Sequence, residues 1–295
     1  RESLIITIAS QQGDGVFLLI DHALGGGANH YADDLLSSHQ NNSEKTLKLS
    51  YDFYTNLYRV NFQDNLHDIS LTINSLEAVK TFLTHLKIKE IFINELVTFK
   101  NIDEHIELIK SIKNKNKASL TIPIHDFFSI CPSYTLLDNN EKFCNIPNLE
   151  QCKTCMKTNS LEWKSLFHGD VNISKWREQW LTLLKESDTI ICFSNSSKEL
   201  ILKAYPTLET THVKVIPHII EPIAPLVYKK EKKKKNITIG ILGGINYAKG
   251  YGVLKNLIHE IENKNLNIKV TLIGEISDSI HSEHFKITGR YDKKD

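Results

Sequence analysis

Short apolar runs alternate with stretches of helical periodicity along most of the chain, and this alternation predicts an α/β domain built on a parallel sheet. The apolar run 16–20 predicts a buried strand. The stretch 29–38 that follows predicts a helix, because Tyr31, Leu35 and Leu36 fall on one face. Further β–α units follow with the same rhythm, so we expect a Rossmann-like fold.

The other elements of this first domain are predicted from the same two periodicities. Strands are predicted at 47–51, 57–62, 69–73, 90–94, 120–124, 189–193 and 213–216. Helices are predicted at 75–86, 102–113, 176–184 and 197–205. Because the first three of these strands follow one another without a helix, we expect an antiparallel excursion there.

A Lys-rich run at 229–235 separates this domain from a second one. The run can bury nothing and follows two prolines, so it predicts a linker. The pattern then restarts with strands at 237–242, 268–273 and 285–288 and a helix at 251–262. The predicted organisation is a lead segment 1–15, a complete Rossmann-like domain 16–222 with a cysteine-containing loop 131–155, a linker 223–236 and a partial Rossmann-like domain 237–295. A complete nucleotide-binding domain needs upward of about 100 residues to cover both faces of its sheet.

The basic run at 229–235 has a second reading. Its lysines could contact anionic lipid headgroups, which would favour an enzyme that acts on a lipid-linked acceptor at the inner face of a membrane. A solvated linker explains the run more simply, and we adopt that interpretation.

Composition and charge exclude several classes of protein. Lys plus Arg number 36 and Asp plus Glu number 35, so the net charge of +1 provides no field that would attract nucleic acid. The apolar runs fall short of the ~20 residues that span a bilayer. Four of the five cysteines lie between 131 and 155, which fits a cytoplasmic protein better than a secreted disulfide framework. Because Arg1 is not Met and no signal peptide follows, we expect a piece of a longer chain.

The first candidate site is the glycine run Gly25, Gly26 and Gly27 between a predicted strand and a predicted helix. Glycines let a backbone approach a ligand closely, and a helix N-terminus offers N–H groups to a diphosphate or an acceptor phosphate. A tight turn that needs positive φ is an equally good explanation.

The second candidate is His125 with Asp126, at the carboxyl end of a predicted strand. Ligands of open α/β sheets bind at that edge, where a histidine can donate to a sugar hydroxyl or a phosphate oxygen. Asp126 can orient the histidine or accept from a hydroxyl. The same argument applies more weakly to Asn94 with Glu95 and to Ser194. Since the chain has 13 histidines, position alone favours His125.

The third candidate is a second glycine turn from a strand into a helix, formed by Gly243, Gly244, Lys249 and Gly250. Its lysine could neutralise a phosphate. The alternative is a solvated lysine at a helix start, although the helix dipole disfavours a cation there unless an anion lies beside it.

The fourth candidate is a set of four cysteines within 25 residues: Cys131, Cys144, Cys152 and Cys155. Four thiolates can close a tetrahedral structural zinc site, and one pair has the C-x2-C spacing. Free buried thiols are the alternative, and they are the simplest explanation for Cys192 within a strand.

Several stretches appear in the order found in GT-B glycosyltransferases of family 4 type, also called glycosyl transferases group 1. They are residues 20–31, 125–128 with Cys131 and Pro132, 176–177, 193–194, 215–218 and 243–250. The sequence resembles that family from residue 16 onward.

The resemblance implies retaining transfer of a sugar from a nucleotide-diphosphate sugar, with no metal at the reacting centre. It implies that Gly25 to Gly27 line the cleft, that His125 bonds the donor sugar and that Lys249 meets the leaving diphosphate. An Arg that usually precedes this lysine is absent, because residues 245–248 read Ile-Asn-Tyr-Ala.

The family's Glu-x7-Glu segment would lie beyond residue 295, so the resemblance implies a fragment that is weak or inactive alone. The implied acceptor is a growing cell-surface polysaccharide or a lipid-linked glycan. Two alternatives stay open: a nucleotide-sugar epimerase or phosphorylase of the same fold, and a noncatalytic zinc-stapled binding module. Sequence-specific binding of nucleic acid ranks last, because charge is balanced and no helix carries clustered Arg.

Overall fold

The computed structural model describes residues 2–10, 15–159, 171–219 and 237–291. The chain divides into two compact units, residues 1–219 and 220–295. The predicted linker 223–236 and its Lys-rich run, on which the membrane reading depends, lie outside the described residues. Within the described part of the chain, no helix combines the length and apolar character needed to span a bilayer.

The first unit is built on one eight-stranded sheet with the order β4-β3-β2-β1-β5-β6-β7-β8. Strands β2, β3 and β4 pair antiparallel and all other neighbours pair parallel, which confirms both the α/β fold class and the antiparallel excursion. The strands are β1 (Val16–His22), β2 (Thr46–Asp52), β3 (Leu57–Gln63), β4 (Asp68–Ile73), β5 (Ile88–Ile93), β6 (Ser119–Ile124), β7 (Thr189–Cys192) and β8 (Val213–Val215).

Helices connect these strands and cover the sheet. They are α1 (Glu2–Ser10), α2 (Gly27–Asn41), α3 (Leu76–Thr84), α4 (Ile102–Asn116), α5 (Leu149–Thr158), α6 (Ile173–Glu186) and α7 (Asn195–Ala204). Side-chain caps set several of their starts, as where the Ser75 hydroxyl accepts from the Ala78 N–H and begins α3.

Apolar residues alternate across β1 and so build a core on each face of the sheet. Leu18 and Ile20 belong to the larger core, which α3, α4 and α6 complete. Phe17 and Leu19 face the other way and pack against α2. Because α2 lies on a different face from α3, α4 and α6, the sheet is wound on both sides in the described part of the chain.

Two helices were not predicted. Residues 2–10 of the lead segment form α1, which buries Ile5 and Ile8 against the larger core. Part of the predicted cysteine loop is α5, whose buried face consists of Cys152 and Met156. This short helix was not predicted because only two of its ten residues are buried, too few to give a clear helical period. Asn148 begins it by accepting from the Gln151 N–H.

The second unit contains a three-stranded parallel sheet of order β11-β10-β9. Its strands are β9 (Ile237–Leu242), β10 (Ile268–Ile273) and β11 (Phe285–Ile287), and its helix is α8 (Tyr251–Asn263). Helix α8 packs on the sheet through Leu254, Ile258 and Ile261, which contact Val270 and partly buried residues of β9. This arrangement confirms the predicted α/β character of the unit.

Gly274, which follows β10, should tolerate no side chain. Its φ is +143°, and a Cβ there would lie 2.2 Å from the Gly243 carbonyl oxygen. We expect Gly274→Ala to lower the free energy of unfolding of this unit by at least about 2 kcal/mol, measured by native-state hydrogen exchange of β9 and β10 amides.

Gly244→Ala is the matched control, since Gly244 has no atom within 4 Å of a Cβ and no positive φ. Equal exchange protection in the two variants would contradict the assigned close approach.

Candidate functional site

The candidate site lies at the carboxyl ends of β1, β5 and β6. The chain passes from β1 to β2 on one side, whereas β5 pairs with β1 on the other side. The direction of winding therefore reverses between β1 and β5. In open α/β sheets, ligands bind in the crevice outside the strand ends at such a switch point.

The carboxylate of Asp21 lies at this point and is fully buried at the end of β1. Its Oδ1 accepts from the His22 backbone N–H at 2.9 Å and from Asn94 Nδ2 at 2.8 Å. Its Oδ2 accepts from Asn29 Nδ2 at 2.5 Å and pairs with Lys48 Nζ at 3.3 Å. These contacts join the first turn of α2, strand β2 and the end of β5 to one buried charge.

Asn94 determines how His125 presents its ring. The Asn94 Nδ2 group donates to Asp21 and to the Ala28 carbonyl oxygen, at 2.8 and 2.9 Å. Asn94 Oδ1 is then the acceptor that lies 2.8 Å from His125 Nε2, so Nε2 carries the proton. In the neutral imidazole this leaves Nδ1 as an acceptor.

His125 stays neutral because of its surroundings. Tyr31 contacts its ring edge-on at a centroid distance of 5.1 Å, and Phe193 stacks on it at 4.9 Å. Phe193 in turn stacks on His218 at 3.8 Å. Burial, together with His218 and His22, lowers the pKa of His125 to about 4. The residue is nevertheless only partly buried, so its ring is not sealed in the core.

A pair of carboxyl groups lies beside this histidine, formed by the buried Glu95 after β5 and the half-buried Asp126 after β6. The two side chains hydrogen-bond to each other, and Asp126 also accepts from the Phe128 N–H at 2.8 Å. Burial raises the pKa of Asp126 to about 7, and burial and the Asp126 charge raise the pKa of Glu95 well above its ordinary value. Asn94, and not Asp126, therefore makes the hydrogen bond to the His125 ring.

The glycine run forms an open loop in front of α2. Gly25 and Gly26 have φ of +82° and +93°, and no atom lies within 4 Å of a Cβ built on Gly25, Gly26 or Gly27. No side chain caps the N-terminus of α2, and its first turn contains no acidic residue. The loop thus leaves backbone N–H groups accessible to an anion.

In the second unit, a comparable turn leads from β9 toward α8. Gly243 and Gly250 have φ of +105° and +85°, and Gly250 precedes the first residue of α8. Lys249 is exposed at the end of a short 3-10 helix. The Lys249 backbone N–H donates to Asn246 Oδ1 at 3.0 Å. Gly244 lies in the same open turn.

The predicted zinc ligands come together without forming a metal site. One cavity of about 530 Å³ is lined by Cys131, Cys144, Cys152 and Cys155. Over the described ranges, no three or more His, Cys, Asp or Glu side chains converge so as to hold a metal ion. The zinc site is therefore not confirmed in this conformation. Cys192 is buried in β7, within the larger core.

Asp21, Asn29 and Lys48 were not predicted as site residues, although a charged residue directly after the apolar run 16–20 was a signal for Asp21. Ser194 has a structural role, because its hydroxyl accepts from the Ser197 N–H and caps α7. The roles of the other predicted site residues stay predictions.

No protein family matches the sequence, and no curated protein sequence matches it. Several solved structures resemble the fold at about a tenth sequence identity. HepE from Anabaena, solved in complex with UDP and glucose, is 10% identical with a TM-score of 0.44; the match covers 94% of this chain and 70% of HepE.

The lipopolysaccharide outer core galactosyltransferase WaaB, in its apo form, is 10% identical with a TM-score of 0.48, over 95% of this chain and 69% of WaaB. The catalytic domain of starch synthase IV from Arabidopsis thaliana, bound to ADP and acarbose, is 9% identical with a TM-score of 0.46, over 96% and 75% of the two chains. At these scores and identities the resemblance concerns the fold alone.

The carboxyl pair should make stability depend on pH. Folded Asp126 keeps its proton up to about pH 7, whereas an unfolded aspartate loses it near 3.8, so this group destabilises the fold as pH rises through that window. We expect Asp126→Asn to gain stability relative to wild type between these pH values, by up to about 1.4 kcal/mol per pH unit. Urea unfolding of both proteins across the range measures the difference.

The lowered pKa of His125 acts in the opposite direction, since stability falls as pH drops from 6.5 toward 4. Taking the difference between the variant and wild type removes this contribution. A difference that does not change with pH would contradict the raised pKa of Asp126.

Proposed function

We propose that this chain is a glycosyltransferase, or part of one, that transfers a sugar from a nucleotide-diphosphate sugar. One observation carries the proposal: an open glycine loop and an uncapped helix N-terminus lie beside the Asp21–Asn94–His125 chain at a switch point of the sheet. A donor with a diphosphate and several hydroxyl groups needs both an anion-binding backbone and neutral hydrogen-bonding side chains.

The glycine loop would receive a phosphate of the donor or of the acceptor. Side chains at Gly25 and Gly26 would be strained at positive φ and would project into the space that the ligand needs. The N-terminal N–H groups of α2 supply partial positive charge without a metal ion. This is consistent with the metal-independent chemistry that the resemblance to GT-B enzymes implies.

His125 would bind a hydroxyl of the transferred sugar. Because its Nε2 proton is already donated to Asn94, the neutral ring would accept a hydrogen bond at Nδ1. Its role would therefore be to orient a hydroxyl, and the chain of hydrogen bonds to Asp21 would fix the ring for that purpose.

Gly243, Gly244, Lys249 and Gly250 would form the donor-side turn in the second unit. Lys249 is exposed and precedes the N-terminus of α8, where an anion would stabilise it. We propose that it neutralises the leaving diphosphate during retaining transfer to a cell-surface polysaccharide or a lipid-linked glycan.

The test is to incubate the chain with UDP-, GDP- and ADP-sugars and glycan acceptors, and to measure both the nucleoside diphosphate released and the glycan product. We expect the His125→Ala variant to transfer sugar roughly tenfold more slowly than wild type, or slower still. A hydrogen bond that stabilises the transition state by about 1.4 kcal/mol changes the rate about tenfold. His85→Ala is the matched control, since His85 is exposed at the end of α3.

Transfer that is equal in His125→Ala and wild type would remove the assigned role. Turnover of the donor without any acceptor would instead favour an epimerase or phosphorylase. If no transfer is detected, NMR is recorded with roughly millimolar donor. Shifts of the resonances near Gly25 to Gly27 then decide whether this loop binds the donor.

A further inference from the structure

A small cavity lies between the ends of β5 and β6 and helix α6, next to the candidate site. Its volume is about 20 Å³, and it is lined by residues at the ends of both strands, by the turn after β6 and by Trp180 of α6. A cavity needs roughly 10 to 15 Å³ to hold one water molecule. The space is therefore large enough for one water molecule and far too small for a sugar or a nucleotide.

Two residues that line this cavity carry buried polar atoms in need of a partner. Ser129 and Trp180 are only 5% and 3% exposed. Among the described residues, neither Ser129 Oγ nor Trp180 Nε1 has a hydrogen-bond partner. Native structures satisfy nearly all buried polar atoms, because an unmade hydrogen bond in the interior is costly. Both atoms belong to the wall of one cavity, so one small ligand can serve both.

The turn that carries Ser129 is held in place by its own backbone. Its three successive carbonyl oxygens, at residues 128–130, accept in order from Trp176 Nε1 at 2.9 Å, from the Tyr205 hydroxyl and from Arg177 Nε at 3.0 Å. Because these donors come from α6 and from the residue after α7, the turn is fixed at both sides. It therefore cannot shift to bring the Ser129 hydroxyl to another part of the chain without breaking these bonds.

Two carboxyl groups line the same cavity, those of Glu95 and Asp126. A backbone N–H orients each of them: that of Leu96 donates to Glu95 Oε1 at 3.0 Å, and that of Phe128 donates to Asp126 Oδ1 at 2.8 Å. A carboxyl group has two oxygens with several acceptor positions, so one backbone bond does not exhaust it. The cavity wall thus offers acceptors as well as the indole donor.

The hydrogen-bonding groups of the wall identify the ligand. The Trp180 indole N–H can only donate, so the ligand must accept a hydrogen bond, which excludes an ammonium ion or a metal ion as its partner. The carboxyl groups disfavour an anion, since like charges repel strongly in the interior. A neutral molecule that accepts, donates and fits into about 20 Å³ is water.

We propose that this cavity binds one water molecule, which accepts from Trp180 Nε1 and hydrogen-bonds the Ser129 hydroxyl and the carboxyl groups of Glu95 and Asp126. Three partners are typical of a buried water molecule. This water would join the end of β5, the turn after β6 and helix α6 directly beside His125. Its binding requires no nucleotide sugar, so the site stands independently of the proposed transferase activity.

The experiment is NMR of the full chain, labelled at the tryptophan indole nitrogens. We expect the Trp180 indole proton to show cross-peaks to water of opposite sign in laboratory-frame and rotating-frame Overhauser spectra, which is the signature of a water molecule held inside a protein. Trp176 is the matched control within the same molecule. It is also buried, but its indole N–H donates to the Phe128 carbonyl oxygen and it does not line the cavity, so it should show no such cross-peak.

The variant Ser129→Ala separates water from the serine hydroxyl proton, which also exchanges with solvent. The Trp180 cross-peak should persist in this variant, because the indole and the carboxyl groups still hold the water. Its disappearance would assign the cross-peak to the hydroxyl and overturn the proposal. Absence of the cross-peak in wild type, or cross-peaks of equal sign in the two spectra, would do the same.

A high-resolution crystal structure of the full chain provides the direct measurement. We expect electron density for one water oxygen within hydrogen-bonding distance, about 2.7 to 3.2 Å, of both Trp180 Nε1 and Ser129 Oγ. A dry cavity, a bound ion, or a direct hydrogen bond between the Ser129 hydroxyl and another protein group would each contradict the proposed site.

Discussion

The buried carboxylate of Asp21 is the constraint on which the candidate site depends. A charge removed from water is tolerated only when it is paired and hydrogen-bonded, and Asp21 is fully buried at the end of β1. Its partners come from strand β2, helix α2 and the residue after β5. Satisfying this one group therefore holds three elements in register at the point where the winding of the sheet reverses.

The chemistry available at the candidate site, at the carboxyl ends of β1, β5 and β6, follows from that constraint. Asn94 donates its amide N–H to Asp21, so its amide oxygen accepts a hydrogen bond from the His125 Nε2–H. This acceptor determines the tautomer of His125. Burial keeps His125 neutral, and burial also raises the pKa values of Glu95 and Asp126. Because these groups add little charge, the positive end of α2 can dominate the open loop, which suits an anionic ligand.

Much of the fold could be predicted from the sequence, because apolar periodicity reports directly on burial. Strand β1 is apolar from Val16 to Ile20, and β5 and β6 end in the buried apolar runs 91–93 and 122–124, as expected for strands covered on both faces. Helices α1 and α5 escaped because their buried positions do not repeat long enough to give a clear period. The cysteine segment was harder to predict, since it contacts α6 through hydrogen bonds such as that from Arg177 Nη2 to Cys152 Sγ.

The sequence by itself determined that the chain is an α/β protein with glycine turns after two strands and His125 at a strand end, because these features depend on local pattern. Only the tertiary structure decided that Asn94 orients His125, that Glu95 meets Asp126, and that four cysteines share one cavity. Those contacts join residues far apart along the chain. They depend on the order of the strands in the sheet and on the direction of each side chain. The periodicity of a short stretch of sequence indicates neither of these.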